Sequence, residues 1–328
     1  MRWPIQFVEN IVGHVLLPLL LLAILLKPAQ ADSSAQAMLA SGQVDKAVET
    51  LEQRISRDAS DAESYNLLCR AYFMMEEWDR GIPACERATK LDPEKSLYYL
   101  WLGRIYGEKA SRVGFLSAAG LAKKVRNSFE RAVQLDPKDW EARVDLAEFY
   151  LEAPSIVGGG QDKARAQADA LLPLNPAMAH WILARVAGRN KDAAGAEYEY
   201  KAAIEASHGG AQHWLHYAQF LAHSDRLFEM DQALHTMESS PLDRPDALMD
   251  GASLLLHLGR DYPKAIRLLQ RYLESPAEEG PAFKAHEYLG QLLEKQGDRR
   301  AAAEQYRAAL ALFHGFRRAQ EDLKRVES

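Results

Sequence analysis

The chain is nearly without cysteine: its 328 residues hold only Cys69 and Cys85. Two cysteines exclude a disulfide-framework miniprotein and any site built from several thiolates. Catalytic signatures are missing too. There is no Gly-x-Ser-x-Gly, no His-Glu-x-x-His and no Gly-x₄-Gly-Lys-Ser/Thr, so no nucleophile–base–orienter trio assembles from neighbouring motifs. A formal charge of −6, spread along the chain, leaves no basic footprint for nucleic acid. Thr, Ile and Val are sparse while Ala is abundant, which disfavours strands and favours helix nearly throughout.

What is present is repetition. Tyr65, Leu68 and Tyr72 recur as Tyr99, Leu102 and Tyr106, each 34 residues on, and Leu91-Asp92-Pro93 recurs as Leu135-Asp136-Pro137. A fixed period of that length marks stacked helical hairpins, each with an apolar stripe that only its neighbours can bury. Residues 62–95, 96–139, 140–178 and 283–313 are the clearest units, with weaker ones between 177 and 282 and an incomplete one at 32–61. Pro93 and Pro137 lie 44 residues apart instead of 34, so the second of these units carries an insertion within Gly107–Lys123. Another insertion lies around Pro154–Gly160. Residues 314–328 read as a capping helix with one apolar face and one charged face. Prolines 93, 137 and 176 separate hairpins, since proline cannot continue a helix.

The first 31 residues stand apart. Arg2 precedes an apolar run from Ile11 to Leu26, Lys27-Pro28 breaks it, and Ala29-Gln30-Ala31 supplies a small–x–small cleavage site. The uninterrupted core, Leu19–Leu26, falls far short of the ~20 residues that span a bilayer. The expectation is a signal peptide cleaved after Ala31 and a periplasmic or secreted chain; the alternative is an uncleaved N-terminal anchor. In an oxidising compartment Cys69 and Cys85, on facing helices of one hairpin, have two readings: a disulfide, or two small buried apolar side chains.

These packing positions resemble the tetratricopeptide repeat (TPR) family over nearly the whole mature chain. The match rests on Leu68, Tyr72, Ala88 and Pro93, on Leu102, Gly103, Tyr106, Phe129, Ala132 and Pro137, and on Leu289, Gly290, Ala302, Tyr306 and Ala309. The resemblance implies an all-α, right-handed superhelical solenoid of about eight hairpins, at 32–313, whose concave groove binds a peptide or protein. With no catalytic or metal-ligand motif, the expectation is no enzyme activity, cofactor or metal, and membrane contact only through an uncleaved leader.

Three features are candidate sites. On first helices, the fifth and ninth positions of each unit are expected to face the groove: Asn66 and Arg70, Leu100 and Arg104, Val144 and Glu148, Trp181 and Arg185, Leu215 and Gln219. Of these, Asn66, Arg70, Arg104, Glu148, Trp181 and Arg185 have the chemistry to hold an acidic or C-terminal peptide. The glycine-rich stretch Pro154–Lys163, with Gly158, Gly159, Gly160 and Lys163, suits a small anionic or lipid-like ligand if its amides are free, and a plain flexible turn if they are not. The insertion at 107–123 carries Arg112, Phe115 and Leu116 ahead of Lys123-Lys124; these form a partner or membrane surface, or else Phe115 and Leu116 fold back onto the hairpin as extended helix. The histidines His213, His216, His223 and His257 lack the spacing of a metal site.

Overall fold

The computed structural model describes residues 35–275 and 281–328, the side chains of Phe115 and Leu116 excepted. The leader, and any packing of those two side chains, lie outside the described residues. Among the described residues every regular element is helical. Helical residues 35–40 (α1) pair with α2 (Val44–Arg57), α3 (Ala62–Met74) with α4 (Trp78–Leu91), and α5 (Ser96–Arg112) with α6 (Phe115–Leu135). Next come α7 (Trp140–Glu152) and α8 (Gln161–Leu171), separated by a 3₁₀ turn at Ser155–Val157. Then α9 (Pro176–Arg189) precedes α10 (Ala193–Ala206), and α11 (Ala211–His223) precedes α12 (Leu227–Ser239). The series ends with α13 (Asp246–Leu258), α14 (Tyr262–Leu273), α15 (Ala282–Lys295), α16 (Arg299–Leu312) and α17 (Arg317–Glu327).

Each helix packs on its hairpin partner, and the odd-numbered helices also stack on one another, α7 on α9, α9 on α11 and so on to α17. The fold is therefore a two-layered helical solenoid. Local chemistry sets the units. Asp61, Asp139, Asn175, Asp192, Asp261 and Asp298 each cap a helix, their side chains accepting from the amide three residues on. Turns inside the pairs pass through left-handed backbone at Gly42, Glu76, Lys191, Asp225, Gly259 and Gly297. Glycine adopts that conformation freely, whereas Glu76, Lys191 and Asp225 each sustain a strain of about 1–2 kcal/mol. Gly81 lets α3, α4 and α5 converge: a Cβ there falls 2.3 Å from Ile105 Cδ1 and 3.0 Å from Tyr72 Cβ. Cys69 on α3 and Cys85 on α4 are joined as a disulfide, with Cα atoms 5.2 Å apart.

A recurring bond ties successive hairpins. The hydroxyls of Tyr72, Tyr106, Tyr150 and Tyr217 donate to Glu52, Glu86, Glu130 and Glu197, each 20 residues earlier on the preceding second helix. Desolvation and the paired carboxylate push the Tyr72 and Tyr150 phenols up to about 12, so both remain donors.

The insertion at 107–123 is realised as length. α5 has 17 residues and α6 has 21, against 13 and 14 in the preceding hairpin. A further departure is that the two ends of the solenoid meet. Phe283, Phe313 and Phe316 join one core with Ala35 and Leu39, and a Cβ at Gly42 falls 2.7 Å from Ala282 Cβ. The backbone N–H and ring nitrogen of His314 both lie 2.7 Å from Asp45 Oδ2. A first unit and a capping helix are expected to end at water, as terminal repeats do. Here the three phenylalanines bring them together, and the stack closes into a ring.

Candidate functional site on the inner face

The odd helices turn one face toward the centre of the ring. There Arg70, Arg104, Glu148 and Arg185, the ninth positions of four first helices, are engaged with neighbouring side chains. Arg104 on α5 donates through Nε to Asp145 Oδ2 at 2.6 Å and through Nη2 to Glu141 Oε2 at 2.9 Å, both on α7. Arg185 on α9 reaches Glu148 and, at 2.6 Å, Glu152. Arg70 and Arg104 flank the Trp101 indole, with guanidinium carbons 4.9 Å and 4.8 Å from its centroid. Arg185 likewise sits 5.0 Å from the Trp181 ring, whose other neighbour is His216, stacked at 4.6 Å.

The fifth position is a groove position only at Trp181, which is half-buried. Asn66, Leu100, Val144 and Leu215 are buried between neighbouring helices. Stacking of first helices consumes that stripe, so Asn66 offers the groove nothing; its side-chain nitrogen and oxygen are buried without hydrogen bonds. The expectation of an arginine clamp for a peptide carboxylate is also revised. Arg104 and Arg185 direct their donors to the chain's own acids.

Between these residues lies a chamber of about 510 Å³ lined by Phe73, Trp101, Arg104, Asp145, Glu148 and Arg244. Arg244 belongs to the α12–α13 connection and reaches the chamber because the ring is tight. Burial, with Glu148 and Glu141 adding repulsion, pushes Asp145 up to about 6 against the pull of Arg104. Burial and the nearby His213 and arginines hold His216 well below the ordinary imidazole value, so it stacks on Trp181 as a neutral ring. His223 and His257 each contact a backbone carbonyl one turn earlier.

The glycine-rich loop has its amides occupied. Gly158 N–H donates to Ser155 O, Gly159 to Pro154 O and Gly160 to Tyr150 O, at 2.8–3.2 Å. Lys163 Nζ donates to Gly158 O at 2.9 Å. The glycine amides and the lysine are thus spent on the loop itself, and no side chain caps the first turn of α8, at 161–163. What the loop does instead is pack against the other insertion. Ala110, Ala118 and Ala122 face Pro154, Ile156 and Val157 across an apolar slot of about 340 Å³, with Ile156 83% exposed at its rim. Gly107, Val125, Phe149 and Glu152 line both slot and chamber, so the two are continuous.

Sequence reasoning missed Asp145, Trp101 and Arg244. Glu141 and Asp145, four residues apart on one helix face and opposite Arg104 one unit earlier, were a readable signal. Arg244 carried none, because only ring closure brings it in.

A family model described as tetratricopeptide repeat matches residues 249–315. No curated protein sequence matches the chain. A thermophilic TPR protein of Thermus thermophilus is similar in structure at 17% identity, covering 59% of this chain and 98% of its own, with a TM-score of 0.50. Yeast Tom70 is similar at 16% identity, covering 87% of this chain and 58% of its own, with a TM-score of 0.51. At such identities the likeness concerns the fold.

Proposed function

From the premise that this chain is a tetratricopeptide-repeat protein, we propose that it is a non-catalytic scaffold holding an extended polypeptide segment on its inner face. The observation that supports this reading is the chamber, where aromatic rings and side chains of both charge signs converge in a space too small for a folded domain. Arg104, Glu148, Arg185 and Trp101 give a segment with mixed charges a set of pairs to exchange with its own. The apolar slot between the insertions extends that path. A small-anion carrier is the weaker reading, since the three glycine amides and Lys163 Nζ of the loop proposed for it are taken by the chain's own carbonyls. The leader supports export to the bacterial envelope, with the mature chain beginning at Asp32.

The test is to immobilise residues 32–328 and probe them with a peptide array from the envelope proteins of the host. Arg70→Glu and Glu148→Lys should each change which peptides are retained. Retention indifferent to both substitutions refutes the inner-face reading. The mass of the exported chain tests cleavage after Ala31.

A further inference from the structure

The seam where the ring closes differs from its other interfaces. Adjacent hairpins are tethered by short turns, which keep their effective concentration for one another high. The seam pairs residues from opposite ends of the solenoid, Asp45 with His314 being 269 positions apart. Its grip is of two kinds. On the C-terminal side Phe283 meets Phe313 and Phe316 edge-on, with centroids at 5.2 Å and 4.9 Å, and this knot shares a core with Ala35 and Leu39 of the other end. Around this knot two ion pairs cross the seam, Lys284 to Glu76 at 2.5 Å and Arg318 to Glu76 at 3.7 Å, while Arg318 also stands 3.8 Å from Glu287 on its own side.

Three features weigh against permanence. Glu76 occupies the left-handed turn position that is glycine at 42, 259 and 297, so the carboxylate that grips Lys284 is held on strained backbone. Glu287 is only 1% exposed, Oε2 makes no hydrogen bond, and its nearest cation stands 3.8 Å away. Glu287 Oε1 accepts from Gln291 Nε2 at 2.8 Å, and the seam carboxylate Glu76 adds repulsion that weakens when the seam parts. Finally, packing there is incomplete: a cleft of about 360 Å³ remains among Met75, Glu76, Arg112, Phe313 and Phe316.

We propose that the seam is a reversible latch: the ring opens between α1–α3 and α15–α17 while the hairpins stay folded, and opening exposes the inner face. The purpose given to opening rests on the inner-face reading; its existence does not, and the experiment needs no partner.

Hydrogen exchange of the full mature chain by mass spectrometry reads the latch directly. In the native protein, amides of 35–45 and 283–318 should exchange through a shared opening faster than those of α9–α12. Glu76→Lys places like charges against Lys284 and Arg318, and should speed seam exchange by at least about tenfold with α9–α12 unchanged and the radius of gyration increased. The swap Glu76→Lys with Lys284→Glu restores an opposite pair and should return both readings toward native. Native seam amides that exchange only with the whole molecule overturn the proposal. So does a Glu76→Lys variant that loses protection uniformly, or one that leaves the seam as it was. The charge swap separates ion-pair loss from misfolding, since a variant that merely fails to fold is not rescued by it.

Discussion

Two glycines one turn apart on α5 should respond to the same substitution in opposite ways. A Cβ built at Gly103 falls 2.3 Å from Phe129 Cε1 and 2.5 Å from its Cδ1, whereas at Gly107 it meets nothing within 4 Å. Phe129 is buried on α6, so its ring cannot swing to solvent. Alanine gains about 1 kcal/mol of helix propensity over glycine at either site. Overpacking at Gly103 costs about 1–3 kcal/mol. The propensity gain is common to both variants, and their difference isolates the clash: Gly103→Ala should be less stable than Gly107→Ala by about 1–3 kcal/mol. Gly107→Ala itself should be at or above native stability. Urea unfolding followed by circular dichroism measures this, with exchange protection of α5 and α6 as a local readout in case the stack unfolds in stages. Adding Phe129→Leu should recover part of the loss at Gly103 and none at Gly107. Equal stabilities for the two alanine variants would refute close helix crossing as the reason for glycine at 103.

Further outcomes follow from the same structure. Arg104→Ala strips the cation from Asp145 and Glu141 and should cost about 3 kcal/mol in urea unfolding, as removing one member of a mostly buried pair does; Arg104→Lys should recover only part. Reducing the Cys69–Cys85 bridge should cost about 3 kcal/mol for its loop of 16 residues, and intact-mass analysis without reductant should show no free thiol. Tyr106→Phe removes the bond to Glu86 and should cost about 1–2 kcal/mol, without altering helix content. Asp145 is raised to about 6, so below pH 4 it is protonated folded and unfolded alike. Between pH 4 and 6 the unfolded chain releases that proton first, and stability falls as pH rises before levelling above 6. Asp145→Asn should flatten that slope in urea midpoints, leaving the part due to Asp250, which burial also raises to about 6.

The hairpins were legible because packing positions repeat with the period. Leu68, Tyr72 and Ala88, and their counterparts Leu102, Tyr106 and Ala132, are buried as their spacing requires. Groove register was legible only in part. A first helix buries more than one stripe, because it touches its partner and both neighbouring first helices, so the fifth position went to packing at Asn66, Leu100, Val144 and Leu215 but not at Trp181. Asp145 carries a signal only together with Glu141 and opposite Arg104 one unit earlier, and the Tyr-to-Glu bonds span 20 residues across unit boundaries. Ring closure had no sequence mark: Phe283, Phe313 and Phe316 look like ordinary core residues of their own units.

That the ends meet also shapes how the molecule is made. Nearly all its contacts join neighbours in the chain, so hairpins can nucleate and zip locally in any order, as low contact order permits. The packing of the aromatic knot with Ala35 and Leu39, and the pairs of Lys284 and Arg318 with Glu76, are the exception. They bear the entropy of closing almost the whole chain into one loop, and α15–α17 must exist before they form. Ring closure is therefore the last event of folding. During synthesis the first hairpins stand with Ala35 and Leu39 uncovered until the final helices arrive.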